Sequence, residues 1–301
     1  MPDNRILLIE NPAHLSVDLG RIKIARQDHD DAYVLPDDIA VLCLHHHTIS
    51  LTANVLRVLA EAGSAVLITD EQHLPTGLQL PLVANQLLTQ RLHLQINQQS
   101  SPLGGNAWAQ LIKARISTQA SNLRHLGLNG ALRLERLSTE VSPGDPDNKE
   151  AQAAKHYWKH LFTDGFKREK RGAMDGINSR LNFGYAVLRA MIARQLVMSG
   201  LNPALGIGHK SQQNPFNLAD DFIEPYRFLV ERHVRTMDIE NDKFESADKP
   251  ELLTFIEQTI IMNSQEYRLT SAITESISSY CRLLENPKEK LQLPENAANG
   301  A

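Results

Sequence analysis

The chain has 301 residues, 42% of them hydrophobic and 22% charged, and a formal net charge of −4. No run of about 18 apolar residues occurs, which argues against a transmembrane helix. Two cysteines, Cys43 and Cys281, are too few for a disulfide framework or a Cys-based zinc site, and the opening MPDNRILLIE does not read as a secretory signal, so a reducing cytoplasm is the expected setting.

Residues 1–75 read as a small, β-rich unit. Short runs at Ile6–Ile9, Leu15–Leu19, Ile22–Ala25, Tyr33–Leu35 and Ile39–Leu44 are punctuated by Asn11-Pro12, Gly20, Asp28–Asp31 and Pro36-Asp37. The tract His45-His46-His47 follows the last of these and reads as a strand end, because three adjacent side chains cannot all face one ion. Thr52 or Asn54 caps a short helix over Val55–Glu61, Gly63 ends it, and Ser64–Thr69 supplies one more strand. Residues 76–81, with Gly77 and Pro81, read as a linker.

Residues 82–285 turn helical. Leu82–Ile96 has apolar spacings of three and four, and Trp108, Leu111, Ile112, Arg115, Ile116, Gln119 and Leu123 continue them in a second helix. Ser142–Pro146 breaks the pattern before a third helix near Lys149–Phe162, which Asp147 or Asn148 can cap. A basic connection, Phe166–Arg171, leads to a long helix over Gly176–Met198, stopped by Gly200 and Pro203. Further helices are expected over Asp220–Arg235, with Asp220 or Asp221 as its cap, and over Pro250–Leu284, with a loose tail at 286–301. The fold class expected from these patterns is α+β, a small β unit followed by a larger helical one.

Charge is unevenly spread. Residues 149–194 hold ten Lys/Arg against four Asp/Glu, whereas residues 218–301 hold nine against sixteen. The basic stretch reads either as a surface that tracks phosphates or as a solvated helical face.

Three acidic or imidazole residues stand out. Glu150 falls in the first turn of its helix and shares a face with Ala153, Ala154, Tyr157 and Leu161. It either complements the helix dipole or points inward to a cation. Asn178, Asn182, Tyr185 and Arg189 make a polar stripe on the long helix, suited to phosphate, to metal ligands or to an interhelical network. Gly206-Ile207-Gly208-His209 allows a tight turn that aims the imidazole into a cleft. Asp221 and Glu224 lie three apart on one helical face, with Arg227 placed to neutralise them, and an acidic first turn would also explain them. Glu150, His209 and Glu224 together make an oxygen, nitrogen, oxygen set suited to Mn²⁺ or Mg²⁺.

Four stretches in this order resemble the CRISPR-associated integrase, the larger nuclease subunit of spacer acquisition. They are Lys149–Ala154, the run Asn178–Gly184 with Tyr185, Gly200–His209, and Asp221–Arg227; the His209-x-x-x-x-Asn214-Pro215-Phe216-Asn217 run is similar to type II members. The resemblance implies an N-terminal β-sandwich before an all-helical catalytic domain. It places the metal triad on Glu150, His209 and Glu224, with Asp221, Asn178, Asn182 and Tyr185 in support and Mn²⁺ or Mg²⁺ as cofactor. Lys155, Lys167, Arg168, Lys170, Arg171, Arg180 and Arg189 are the expected contacts to double-stranded DNA. The implied reaction is metal-dependent insertion of short duplexes into a CRISPR array by 3′-hydroxyl attack on a phosphodiester, with endonuclease cutting when water attacks. The implied assembly is a homodimer, two of which flank a dimer of the small adaptation subunit in a hetero-hexamer. A mobile-element integrase of the same fold and a non-enzymatic DNA-binding scaffold subunit remain open at this point. A soluble phosphohydrolase is disfavoured by the lack of ligand clusters for two ions.

Overall fold

The run Ile39–Leu44, IAVLCL, offers no polar position for a solvated face, and in the computed structural model it becomes a strand covered on both sides. The structure describes residues 5–70, 75–82, 85–162, 165–169, 175–237, 243–245 and 248–297. Its first elements are β1 (Arg5–Ile9), β2 (His14–Asp18), β3 (Arg21–Ala25), β4 (Ala32–Val34), β5 (Ile39–Leu44), β6 (Ser50–Leu51), α1 (Ala53–Glu61), β7 (Ala65–Thr69) and β8 (Pro75–Gln79). They form two four-stranded sheets, ordered β1-β5-β7-β8 and β4-β3-β2-β6. β5 runs parallel to β1 and β7, while β8 returns antiparallel along β7.

Alternation along β5 and β7 divides their side chains between two cores. Leu42 and Val66 pack with Leu15, Ile22, Ile24 and the α1 residues Val55 and Leu59, between the sheets. Val41, Cys43, Ala65 and Leu67 face the other way and join the large core of the helices. The first unit is therefore the expected sandwich, and one of its sheets is also a wall of the second unit. His45 ends β5 as expected, with its N–H on Ile9 O at 3.0 Å. Its buried ring accepts from Lys249, whose ammonium is pushed down to about 8 by burial.

The helical part comprises α2 (Leu88–Gln99), α3 (Pro102–His125), α4 (Ala131–Glu140), α5 (Lys149–Leu161), α6 (Gly176–Met198), α7 (Asn217–Ile223), α8 (Arg227–Thr236), α9 (Asp248–Leu253) and α10 (Leu269–Glu285). The long helix ends where expected, since Gly200 adopts φ +67° and Leu201 N–H closes on Leu196 O at 2.9 Å. α4 lies in a stretch to which the sequence patterns assigned no element.

Three expectations need correction. The proposed linker at 76–81 is largely strand β8, paired with β7. Pro75 is tolerated there because it opens an edge strand. The single helix expected over Pro250–Leu284 is interrupted by a hairpin of β9 (Thr259–Met262) and β10 (Gln265–Arg268). Asn263 and Ser264, with φ of +50° and +59°, form its tight turn. The tail is tied down as far as residue 297: β11 (Asn296–Ala297) pairs with β9, and Leu291 is buried. The second unit is thus mostly helical with a three-stranded sheet, not all-helical. Among the described residues no helix is long and apolar enough to cross a membrane.

Candidate metal centre

The loop after α6 is organised by one carboxylate. Asp221 is fully buried and accepts the backbone N–H groups of Ile207, Gly208 and His209, the last at 2.9 Å. The same Oδ1 meets His209 Nδ1 at 2.8 Å. Burial pushes the Asp221 carboxyl up, while His209 and the N–H donors pull it back. Asp221 lies inside α7, four residues from its start, so it is not the helix cap expected from the sequence. α7 ends because Pro225 has no N–H for the ladder, and a 3₁₀ turn over Glu224–Tyr226 leads into α8.

The two glycines are needed sterically. A Cβ on Gly206 would stand 2.2 Å from His209 O, and one on Gly208 would stand 2.3 Å from the Trp108 ring. Trp108 meets the His209 ring edge-on, with centroids 5.6 Å apart. Gly208→Ala is therefore expected to displace His209 and to cost about 1–3 kcal/mol by overpacking, read as a lower melting temperature.

Glu224 projects from the 3₁₀ turn into the protein, 3% exposed, between two arginines. Arg227 Nη2 reaches its Oε1 at 3.0 Å, and Arg115 of α3 contacts Oε2. The neutralising role expected for Arg227 is thus seen in the geometry. Burial lowers the proton affinity of Arg115, and Arg227 adds to this; Glu231 and Glu150 act the other way. Glu150 itself is half-buried in the first turn of α5, whose backbone is capped by Asn148 and by Asp145, which accepts from Lys149 N and Glu150 N.

The polar stripe of α6 splits by role. Asn178 is buried and binds the preceding segment, donating to Lys167 O and accepting from Glu169 N, each at 2.9 Å. Asn182 Oδ1 accepts from Arg168 at 2.6 Å. Both asparagines therefore serve a network that holds residues 167–169 on the helix. Tyr185 donates to Glu231 Oε1 at 2.7 Å, and burial raises its phenol well above the ordinary value.

Among the expected DNA contacts, Lys155 and Lys167 are exposed. Arg168 is engaged by the asparagines and lies over the Tyr185 ring. Arg189 is held by Asp220 at 2.8 Å and Asn214 at 2.9 Å. Arg180 must be corrected: it is buried, donates to Asp248 Oδ2 at 2.6 Å, and is not available to a phosphate. Lys170 and Arg171 lie outside the described residues.

Among the described residues no three His, Cys, Asp or Glu side chains stand together closely enough to hold an ion as arranged. Glu224 faces arginines instead. The donor chemistry nonetheless fits a hard or borderline divalent ion, because Asp221 occupies His209 Nδ1 and so makes Nε2 the ring atom with a lone pair to offer. Arg115 and Glu231 were missed as site residues. Arg115 was legible only as a charge on an otherwise apolar stripe, and Glu231 had no local signal.

The family described as "CRISPR associated protein Cas1" matches residues 6–255. A CRISPR-associated endonuclease Cas1 of Neisseria meningitidis serogroup C is 37% identical over 297 residues, 97% of this chain and 96% of that one. Among solved structures, a casposase bound to integration product superposes with a TM-score of 0.80 at 20% identity, covering 95% of this chain and 92% of that one. A Cas1 protein from Thermotoga maritima gives 0.76 at 14% identity, covering 94% and 97%. A Cas6-RT-Cas1–Cas2 complex gives 0.74 at 17% identity, covering 95% of this chain and 35% of that one. Matched along 250 residues by the family pattern, and along nearly its whole length by a relative at 37% identity, the chain belongs to the Cas1 family.

Proposed function

We propose that this chain is a divalent-metal-dependent DNA integrase and endonuclease that inserts short duplexes into a CRISPR array. The observation that carries this reading is the loop imidazole of His209, fixed by Asp221, whose short helical segment also carries the inward Glu224. With Glu150, these residues are the proposed ligands of Mn²⁺ or Mg²⁺. The ion would polarise the scissile phosphate and steady charge on the attacking and leaving oxygens. Asp221 holds the imidazole in one tautomer, and Glu150 supplies negative charge from the first turn of α5. The 3′-hydroxyl of one duplex attacks phosphorus, a new P–O bond forms, and the displaced 3′-oxygen leaves with a proton. Exposed Lys155 and Lys167 would track the duplex backbone.

The proposed assembly is a homodimer working in the cytoplasm with the small adaptation subunit, two dimers of this chain flanking one dimer of that partner. The Cas1–Cas2 complex among the structural neighbours supports such a partner. The casposase likeness favours a second reading, a mobile-element integrase acting alone. A pull-down with the small subunit separates the two.

His209→Ala tests the first reading. The variant is expected to lose strand transfer of a labelled duplex into a repeat-bearing plasmid by a factor of about 100 or more, with its fold retained. Near-normal transfer with Mn²⁺ present would overturn the assignment.

A further inference from the structure

The centre contains more buried charge than a ligand set requires. Glu224 and Glu231 are 3% and 0% exposed, and Arg115, 4% exposed, contacts the first and lies within range of the charge of the second. Arg115 Nη1 contacts Glu224 Oε2 as an ion pair, but neither atom makes a well-formed hydrogen bond and Arg115 Nε donates none, so the guanidinium is not locked in place there. Glu231 receives Tyr185 on Oε1 at 2.7 Å, but its buried Oε2 accepts no hydrogen bond. A buried carboxylate oxygen without a donor is costly, so a nearby cation gains by moving to it.

We infer that Arg115 is the resident counter-cation of Glu224, exchanged for the divalent ion and passed to Glu231 when the ion binds. This rests on the reading of Glu150, His209 and Glu224 as the ligand set. With both its oxygens facing arginines, Glu224 cannot ligate an ion until one guanidinium leaves. Arg227 is anchored on the other oxygen and over the Tyr185 ring at 4.8 Å, so Arg115 is the one with somewhere to go. Ion affinity is then set by competition with a guanidinium, and Arg115 and Glu231 are positioning residues on opposite sides of that exchange.

The test is Mn²⁺ affinity of the purified full chain, by calorimetry or by loss of the free-Mn²⁺ electron paramagnetic resonance signal. Arg115→Met is expected to bind Mn²⁺ about tenfold tighter than wild type, to melt lower without ion, and to gain more in melting temperature on adding it. Glu231→Gln is expected to bind about tenfold more weakly, because the displaced guanidinium loses its destination. Should Arg115→Met fail to fold, Arg115→Lys, whose point charge spans less, is expected to show the same tightening to a smaller degree. Unchanged or weaker affinity in the Arg115 variants, with wild type binding normally, would overturn the exchange alone. Absence of Mn²⁺ binding by wild type would remove the ligand-set reading and the exchange with it.

Discussion

Glu224→Gln is expected to remove detectable Mn²⁺ binding and, with it, strand transfer. The amide keeps the volume of the side chain and one acceptor oxygen, but it is a poor ligand for a divalent ion. It also withdraws the negative charge that lies between Arg115 and Arg227. Breaking a buried ion pair from one side leaves uncompensated charge and costs about 3–5 kcal/mol. The variant should therefore melt lower without ion and gain nothing from added Mn²⁺. A melting curve with and without Mn²⁺, beside a metal titration, reads both effects. Retained Mn²⁺ binding in Glu224→Gln, with binding lost in Asp221→Asn, would transfer the ligand role to Asp221.

Asp221 is expected to fail differently. It accepts three backbone N–H groups and His209 Nδ1, so little of it is left for an ion. Asp221→Asn keeps one acceptor oxygen but turns an amide donor towards other donors. It should weaken Mn²⁺ binding about 10–100-fold and leave a measurable fraction of integration. Asp221→Ala removes every acceptor, and each orphaned N–H costs about 1–3 kcal/mol. The loop through Gly206 and Gly208 should then lose its shape, seen as faster hydrogen exchange at Ile207, Gly208 and His209. Wild-type Mn²⁺ affinity in Asp221→Ala would show that this carboxylate does not orient the imidazole.

What could be read from the sequence was local. α6 has long apolar periodicity and a glycine stop, so its bounds Gly176–Met198 were legible. The first turn of α5 was legible from Asn148 and the face shared by Glu150 and Tyr157. The β9–β10 hairpin was not: its strands have four residues each, too short for alternation to outweigh the flanking helical pattern. Asp221 was mistaken for a cap because α7 starts at Asn217, four residues earlier, and its partners are set by loop closure. Arg180 lies in a basic stretch yet is buried on Asp248, 68 residues later, a pairing that no window of sequence contains. Arg115 and Glu231 escaped for the same reason, since their meaning lies in which charges the tertiary fold brings beside them.

The sheet β1-β5-β7-β8 gives the two units a common fate. Its Leu42 face closes the small core and its Val41 face closes the large one, so neither core is sealed without it. Melting the strands would bare apolar surface on the helices at the same moment, which couples the two parts into one cooperative transition. Excising the first 75 residues would leave helices with an exposed greasy wall, prone to aggregate instead of folding alone. The β-rich segment is thus better regarded as a structural half of the catalytic body than as a detachable module beside it.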